Sequence, residues 1–175
     1  MMAEQAPIRI RPATVHDVPA IEALVQPLAI EGILLAKERV TYYESIQEFL
    51  IAERESQGVN QVLGCGALHV MWRDIAEIRT LASSPDSRGM GVGHKLVQAL
   101  IEQARAVAVQ QIFCLTFEVD FFCRQGFRIM ANQDQVDPQI YAQLLRSPDE
   151  GIAEFLDLAR VKPNTLGNTR MIYDL

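Results

Sequence analysis

The residues best suited to chemistry in this chain are Arg88-Gly89-Met90-Gly91-Val92-Gly93, set between an apolar strand pattern and the strongest helical pattern in the sequence. Glycine lets the backbone turn tightly and lets a ligand approach it closely. The first amides of a helix have no internal acceptor and lie at the positive end of the helix dipole. Such a loop suits a phosphate or diphosphate, and Arg88, His94 and Lys95 add local positive charge. A flexible loop before a helix is the plainer alternative. The loop lacks the Gly-Lys-Ser/Thr ending of a Walker A motif. Its place after a hairpin in mid-chain, instead of after the first strand of a βαβ unit, disfavours a dinucleotide fingerprint. The second group is Glu77 with Arg79, two charges in an otherwise apolar strand pattern. Cys65, Cys114 and Cys123 are odd in number and never spaced C-x-x-C, which argues against a zinc site or disulfide framework.

Stepping outward, residues 8–11 alternate apolar and basic before Pro12 and read as a short strand. Thr14, with Asp17 three residues on, marks a helix start, and Val18, Ile21, Leu24, Val25 and Leu28 form one face until Gly32. A second helix is expected over 40–47. Residues 49–52 fit either a continuation of it or a new strand. A turn at 58–60 precedes a strand over 61–72. Arg73-Asp74 then turns into a strand over 75–83, so this part is an antiparallel hairpin. The helix over 91–109 buries Val92, Leu96, Val97, Leu100, Ile101, Ala104 and Ala108. A buried strand over 111–117, a short helix over 120–125 closed by Gly126, and a strand over 127–130 follow. The tail holds one or two helices within 138–158 and a final strand over 170–175.

The chain has 175 residues, 49% of them apolar and 22% charged, which fits one globular domain with a core of its own. No linker or repeat divides it, so 1–175 is read as a single domain with 1–7 as a flexible N-terminus. The 16 Lys and Arg against 22 Asp and Glu leave a net charge of −6. That disfavours general nucleic-acid binding but not one anion held by backbone amides. No signal peptide and no run of 18 apolar residues is present, so no membrane association and a cytoplasmic location are expected.

The Arg-x-x-Gly-x-Gly pattern at 88–93, the preceding hairpin, the following helix and the Gly126-Phe127 pair resemble the GNAT superfamily of acyl-CoA-dependent N-acyltransferases. The resemblance implies an α/β fold: a mixed, largely antiparallel twisted sheet flanked by helices and splayed at the acetyl-CoA site. It implies that Arg88, Gly89, Met90, Gly91, Val92, Gly93 and His94 cradle the pyrophosphate, and that the main chain of Leu81 and Ala82 pairs with the pantetheine arm. Acetyl-CoA is the co-substrate, with no metal. Several segments are similar to the N-acetylglutamate synthases of arginine biosynthesis: Gly32-Ile33-Leu34-Leu35, Gly64-Cys65-Gly66-Ala67-Leu68, Ala76-Glu77-Ile78-Arg79 and Phe113-Cys114-Leu115-Thr116-Phe117-Glu118. The segments Gly151-Ile152-Ala153-Glu154-Phe155-Leu156-Asp157-Leu158 and Lys162-Pro163-Asn164-Thr165-Leu166-Gly167-Asn168 resemble the short actinobacterial form.

That resemblance implies acetyl transfer to the α-amine of L-glutamate by direct attack on the thioester, with Glu77 as the base. The alternative for Glu77 is a neighbour pair with Arg79 on an exposed strand. Lys37 matches a carboxylate-binding position in relatives, against the alternative of a solvated helix-start residue. Leu35, Arg79, Thr80 and Thr116 complete the expected amino-acid site. A backbone N–H within 80–82 is expected to hold the oxyanion. Many relatives carry a tyrosine as general acid where this chain has Phe122; the adjacent Cys123 is expected to be a buried structural thiol. Glu118 stands where longer relatives have small polar or basic residues. Facing the pocket, it would repel glutamate and favour glutamine, which is kept as a second acceptor. Other readings are a GNAT enzyme for another small amine or a protein N-terminus, or a non-catalytic acetyl-CoA sensor. A homodimer is a further expectation drawn from the superfamily. At this length the chain is read as an acetyltransferase unit without the amino-acid-kinase-like domain of longer synthases.

Overall fold

The computed structural model describes residues 6–130, 137–156 and 167–175. Seven strands form one sheet in the order β1-β2-β3-β4-β5-β7-β6. They are β1 (Arg9–Pro12), β2 (Phe49–Ser56), β3 (Val59–Trp72), β4 (Ile75–Ser83), β5 (Gln111–Thr116), β6 (Arg128–Ile129) and β7 (Thr169–Asp174). Among the described residues only β4 and β5 pair in parallel; every other pairing is antiparallel. The helices are α1 (Val18–Ile30), α2 (Arg39–Glu44), α3 (Val92–Ala106), α4 (Val119–Arg124), α5 (Pro138–Leu144) and α6 (Glu150–Phe155). The mixed sheet and flanking helices agree with the expected fold. Among the described residues no helix is long and apolar enough to cross a membrane.

Period-two alternation sends successive strand residues to opposite faces. Ala76, Ile78, Ile112 and Cys114 pack with Leu100, Ile101 and Ala104 of α3 on one face. The other face is covered in two halves. Helices α1 and α2 bring Val18, Ile21, Val25 and Tyr42 onto Phe49, Ile51, Cys65 and Ala67. Helices α5 and α6 bring Leu144, Ile152 and Phe155 onto Ile75, Phe113 and Ile172. Phe155 meets Phe113 edge-on, with ring centroids 5.0 Å apart. The gap between the two halves becomes the site.

The undecided segment 49–52 belongs to β2, because a 3-10 turn at Ile46–Glu48 ends the helical stretch. The turn before β3 lies one residue earlier than expected, at Gln57 and Gly58, both with positive φ. At the first helix the Asp17 carboxylate accepts the Thr14 N–H at 2.7 Å, and a 3-10 turn at Val15–Asp17 leads into α1. The tail resolves into two helices, α5 and α6. Of the expected second helix, residues 157 and 158 lie outside the described residues.

Candidate active site

Two irregularities in β4 shape the centre of the protein. β4 and β5 pair only at Ile75–Gln111, Ala76–Ile112 and Glu77–Phe113. Beyond Glu77, β4 runs on to Ser83 and β5 to Thr116 without further pairing, so the sheet opens into a V at that residue. The second irregularity is a bulge. Register passes from Ala67–Arg79 to Cys65–Ala82, so Thr80 and Leu81 together stand against Gly66. Thr80 takes φ +55°, a conformation unfavourable for a β-branched residue. The extra residue reverses the facing of the strand. Ile78 packs toward α3 before it, whereas afterwards Leu81 packs that way and Ala82 joins the α1 half.

The glycine loop is set on the sheet by α3. Gly89 and Gly91 have φ of +80° and +75°, and Gly91 caps the helix from the left-handed region. The first intrahelical bond is Lys95 N–H to the Gly91 carbonyl at 3.0 Å. The amides of Val92, Gly93 and His94 precede it, so helix geometry gives them no intrahelical acceptor. Val92 is buried, whereas Arg88, Gly89, Gly91 and His94 are exposed. Close packing beneath the loop depends on Gly64: a Cβ there would lie 2.7 Å from Val92 Cγ1 and 2.9 Å from the Ala82 carbonyl. His94 Nδ1 is 2.7 Å from Gln125 Oε1, tying α3 to the end of α4.

On the opposite face a cavity of about 500 Å³ lies over the V, between the α1–α2 connection and α6. Leu35, Lys37, Glu77, Arg79, Thr80 and Asp149 are among the residues lining it. Glu77 is 5% exposed, so its pairing with Arg79 is an interior one and not the surface pair considered from sequence. Arg79 Nε donates to Glu77 Oε2 at 2.9 Å, and Arg79 Nη2 donates to the same oxygen. The far edge of the guanidinium grips Asp149, Nη1 to Oδ2 at 2.8 Å and Nη2 to Oδ1 at 2.7 Å. Burial works against the Arg79 charge, but Glu77 and Asp149 outweigh it and hold the group protonated. Burial likewise works against the Asp149 carboxylate, and Arg79 overrides it, so its pKa falls well below the usual range. Lys37 Nζ lies 3.5 Å from Thr80 Oγ1. Its pKa is lowered, first by burial and then by Arg79.

Several expectations need correction. Arg79 lines the cavity but is engaged by two carboxylates, so it is not an open anchor for a substrate carboxylate; Lys37 is the better placed of the two. Thr116 does not line the cavity. Its hydroxyl accepts the Glu118 N–H at 2.8 Å, and Leu115 is the β5 residue that faces the space. Glu118 is exposed at the start of α4 and is not among the residues lining the cavity, so the structure does not bring it to the expected amino-acid site. Cys123 is exposed; the buried thiols are Cys65, pushed up to about 12 by burial, and Cys114. Phe122 is buried edge-on against Phe121 and Phe127 and offers no proton. Asp149 and His69 join the Arg79 cluster without a sequence pattern that points to it. Asp149 lies 70 residues from Arg79 along the chain, and its only sequence signal is an N-cap aspartate ahead of a weak helical pattern. Among the described residues no cluster of three His, Cys, Asp or Glu could hold a metal ion.

Known proteins resemble this chain in sequence and fold. Residues 22–127 match the family described as Acetyltransferase (GNAT) family. An amino-acid acetyltransferase of Mycobacterium tuberculosis is 48% identical over 163 residues, covering 93% of this chain and 92% of that protein. An amino-acid acetyltransferase of Neisseria meningitidis is 34% identical over 137 residues. The match covers 77% of this chain but only 30% of that longer protein. Among solved structures, Rv2747 from Mycobacterium tuberculosis in complex with CoA and NLQ superposes with a TM-score of 0.89 at 47% identity, covering 95% of this chain and 99% of that one. N-acetylglutamate synthase from Neisseria gonorrhoeae, complexed with coenzyme A and N-acetyl-glutamate, superposes with a TM-score of 0.75 at 28% identity, covering 99% of this chain and 36% of that one. With the splayed sheet, the glycine loop at α3 and a family match over most of its length, the chain belongs to the GNAT family of acetyltransferases.

Proposed function

We propose that the protein transfers the acetyl group of acetyl-CoA to the α-amine of L-glutamate, with L-glutamine as a second acceptor to be tested beside it. The observation that carries this reading is the position of Glu77. It is the last paired residue where β4 and β5 part, it is buried, and it lines the same cavity as the Lys37 ammonium. A carboxylate and a cation facing one space match the two ends of an α-amino acid. Similarity to amino-acid acetyltransferases supports the same class of acceptor.

The diphosphate of CoA is assigned to the loop of Arg88, Gly89, Met90, Gly91, Val92, Gly93 and His94, where helix-start amides without intrahelical acceptors supply the donors. The pantetheine arm then follows the main chain of Leu81 and Ala82 into the V. Lys37 takes the substrate α-carboxylate, with Leu35 and Thr80 alongside. Glu77 removes a proton from the ammonium, directly or through water, and the amine attacks the thioester carbonyl. The bulged backbone at 80–82 supplies the oxyanion donor. The attacking nitrogen gives up its second proton to solvent, collapse of the tetrahedral intermediate breaks the C–S bond, and coenzyme A leaves as thiolate. With Phe122 in the core, the thiolate takes its proton from solvent. Because Glu118 lies outside the cavity, any discrimination between glutamate and glutamine falls to lining carboxylates such as Asp149, Glu150 and Glu154.

Free-thiol release from acetyl-CoA against a panel of amino acids, polyamines and peptide N-termini tests the assignment. Turnover with glutamate or glutamine well above all others is expected. Preference for a polyamine or peptide, or tight acetyl-CoA binding without turnover, contradicts it. Lys37→Ala should raise KM for the amino acid far more than for acetyl-CoA; an equal rise in both would remove Lys37 from the carboxylate site.

A further inference from the structure

Arg79 has more acid around it than one guanidinium needs. Its end-on edge, the two Nη groups, is given to Asp149, which lies across the cavity on the segment leading into α6. Only the side edge, Nε and Nη2, is left for Glu77, and both of those bonds go to a single oxygen, Oε2. The Oε1 atom receives neither. Asp149 is itself fixed from several sides. Its Oδ1 accepts the Ile152 N–H at 3.2 Å as the N-cap of α6. Its Oδ2 lies 3.7 Å from His69 Nε2, and His69 Nδ1 lies 2.8 Å from Glu48 Oε1. α6 is held in turn by Ile152 and Phe155 in the core. The packing leaves no slack: a Cβ on Gly151 would overlap Glu77 Oε2 and lie 2.7 Å from Arg79 Nη2.

We infer that Asp149 is a positioning residue for the proposed base: by occupying the end-on edge of Arg79 it holds Glu77 by one oxygen and keeps it a competent proton acceptor. This rests on the reading of Glu77 as the base. A carboxylate that alone faces a buried guanidinium is strongly stabilised in its charged form and accepts protons poorly. A second carboxylate on the same guanidinium consumes part of that stabilisation and adds its own repulsion. Both effects make the first carboxylate a better base, while the guanidinium still fixes its direction. The other charged or titratable groups facing this cluster are Lys37 and Glu38 from the α1–α2 connection, Glu48 and His69, Glu150 and Glu154 from α6, and Cys114 of β5. Asp149 shares Arg79 with Glu77 by direct hydrogen bonds, so it is the carboxylate whose charge Glu77 feels through a common cation.

The test is the pH profile of kcat/KM for Asp149→Asn and Asp149→Ser beside the native protein and Glu77→Gln. Asn and Ser cap helices about as well as Asp, so both variants keep α6 while removing the charge. The acidic limb is expected to move to lower pH, because the guanidinium then favours the charged form of Glu77 alone. Turnover at neutral pH should fall on the order of tenfold, less than the ~10²–10⁴-fold of removing the base itself. KM for the amino acid should stay level or fall, because a freed guanidinium attracts a carboxylate, and acetyl-CoA affinity should hold. A limb that stays in place or moves to higher pH overturns the inference. So do variants that fail to fold, since Asp149 would then be a structural residue only. The two failures are distinguishable: full activity in Glu77→Gln would overturn the base itself, whereas a Glu77-dependent profile indifferent to Asp149 would overturn only the positioning role.

Discussion

Gly151→Ala sets helix propensity directly against site geometry. Gly151 is the second residue of α6, and an alanine in a helix is ordinarily favoured over glycine by up to about 1 kcal/mol. Propensity alone therefore predicts a slightly more stable protein. The structure predicts the opposite. The added Cβ would overlap Glu77 Oε2 and stand 2.7 Å from Arg79 Nη2 and 3.0 Å from Glu77 Cδ. These atoms cannot swing clear, because Arg79 is pinned by Asp149 and Glu77 is buried. Overpacking of this kind costs about 1–3 kcal/mol, so the net change is roughly 0–2 kcal/mol of destabilisation. For a domain of this size that lowers Tm by up to about 8 °C. Turnover should fall further than stability, because α6 or the carboxylate must move and proton transfer depends on short, aligned distances. Thermal unfolding and thiol release on the same preparation read both quantities. A variant with raised Tm and native turnover would refute the packing of α6 on the Glu77–Arg79 pair.

Two further expectations concern the backbone and the acid range. At position 80 the positive φ makes glycine at least as stable as alanine; in an ordinary strand glycine would be about 0.5–1 kcal/mol worse. Denaturant unfolding of Thr80→Gly and Thr80→Ala checks the order, and the ordinary order would argue against the bulge. Asp17 is lowered from 3.8 to about 2, chiefly by its hydrogen bonds with Arg11. A depressed folded-state pKa contributes stability that is fully present above the unfolded value and is lost as pH falls through the folded one. The contribution should disappear between about pH 4 and pH 2. Tm measured across that range should fall more gently in Asp17→Asn than in the native protein; identical slopes would remove Asp17 from the acid transition.

The sequence was most legible where one element carried the signal. The 88–93 loop and α3 are contiguous, and the apolar positions from Val92 to Ala104 recur at helical spacing. The hairpin of β3 and β4 was equally local, with its turn at Arg73-Asp74. The site was legible only in part, because its decisive contacts cross long distances. Arg79 reads from sequence as a cation open to substrate, and only the approach of Asp149 turns it into a shared clamp. Thr116 and Glu118 misled because alternation along β5 gives no sign that the strand ends in a turn in which the Thr116 hydroxyl accepts the Glu118 N–H. Cys123 reads as an interior residue because free cysteine is usually buried, yet α4 puts Phe122 in the core and Cys123 outside. The bulge at Thr80 was invisible for a related reason. A strand pattern of Ile78, Leu81 and Ala82 does not reveal an extra residue until it is paired with Gly66.

As the proposed base, Glu77, at the opening of the sheet, accepts the proton of an amino-acid amine that attacks acetyl-CoA. Its most direct test is Glu77→Gln, assayed for glutamate-dependent thiol release and, separately, for acetyl-CoA binding. Turnover should fall roughly 10²–10⁴-fold with acetyl-CoA affinity nearly unchanged. Native turnover in the variant would contradict this role.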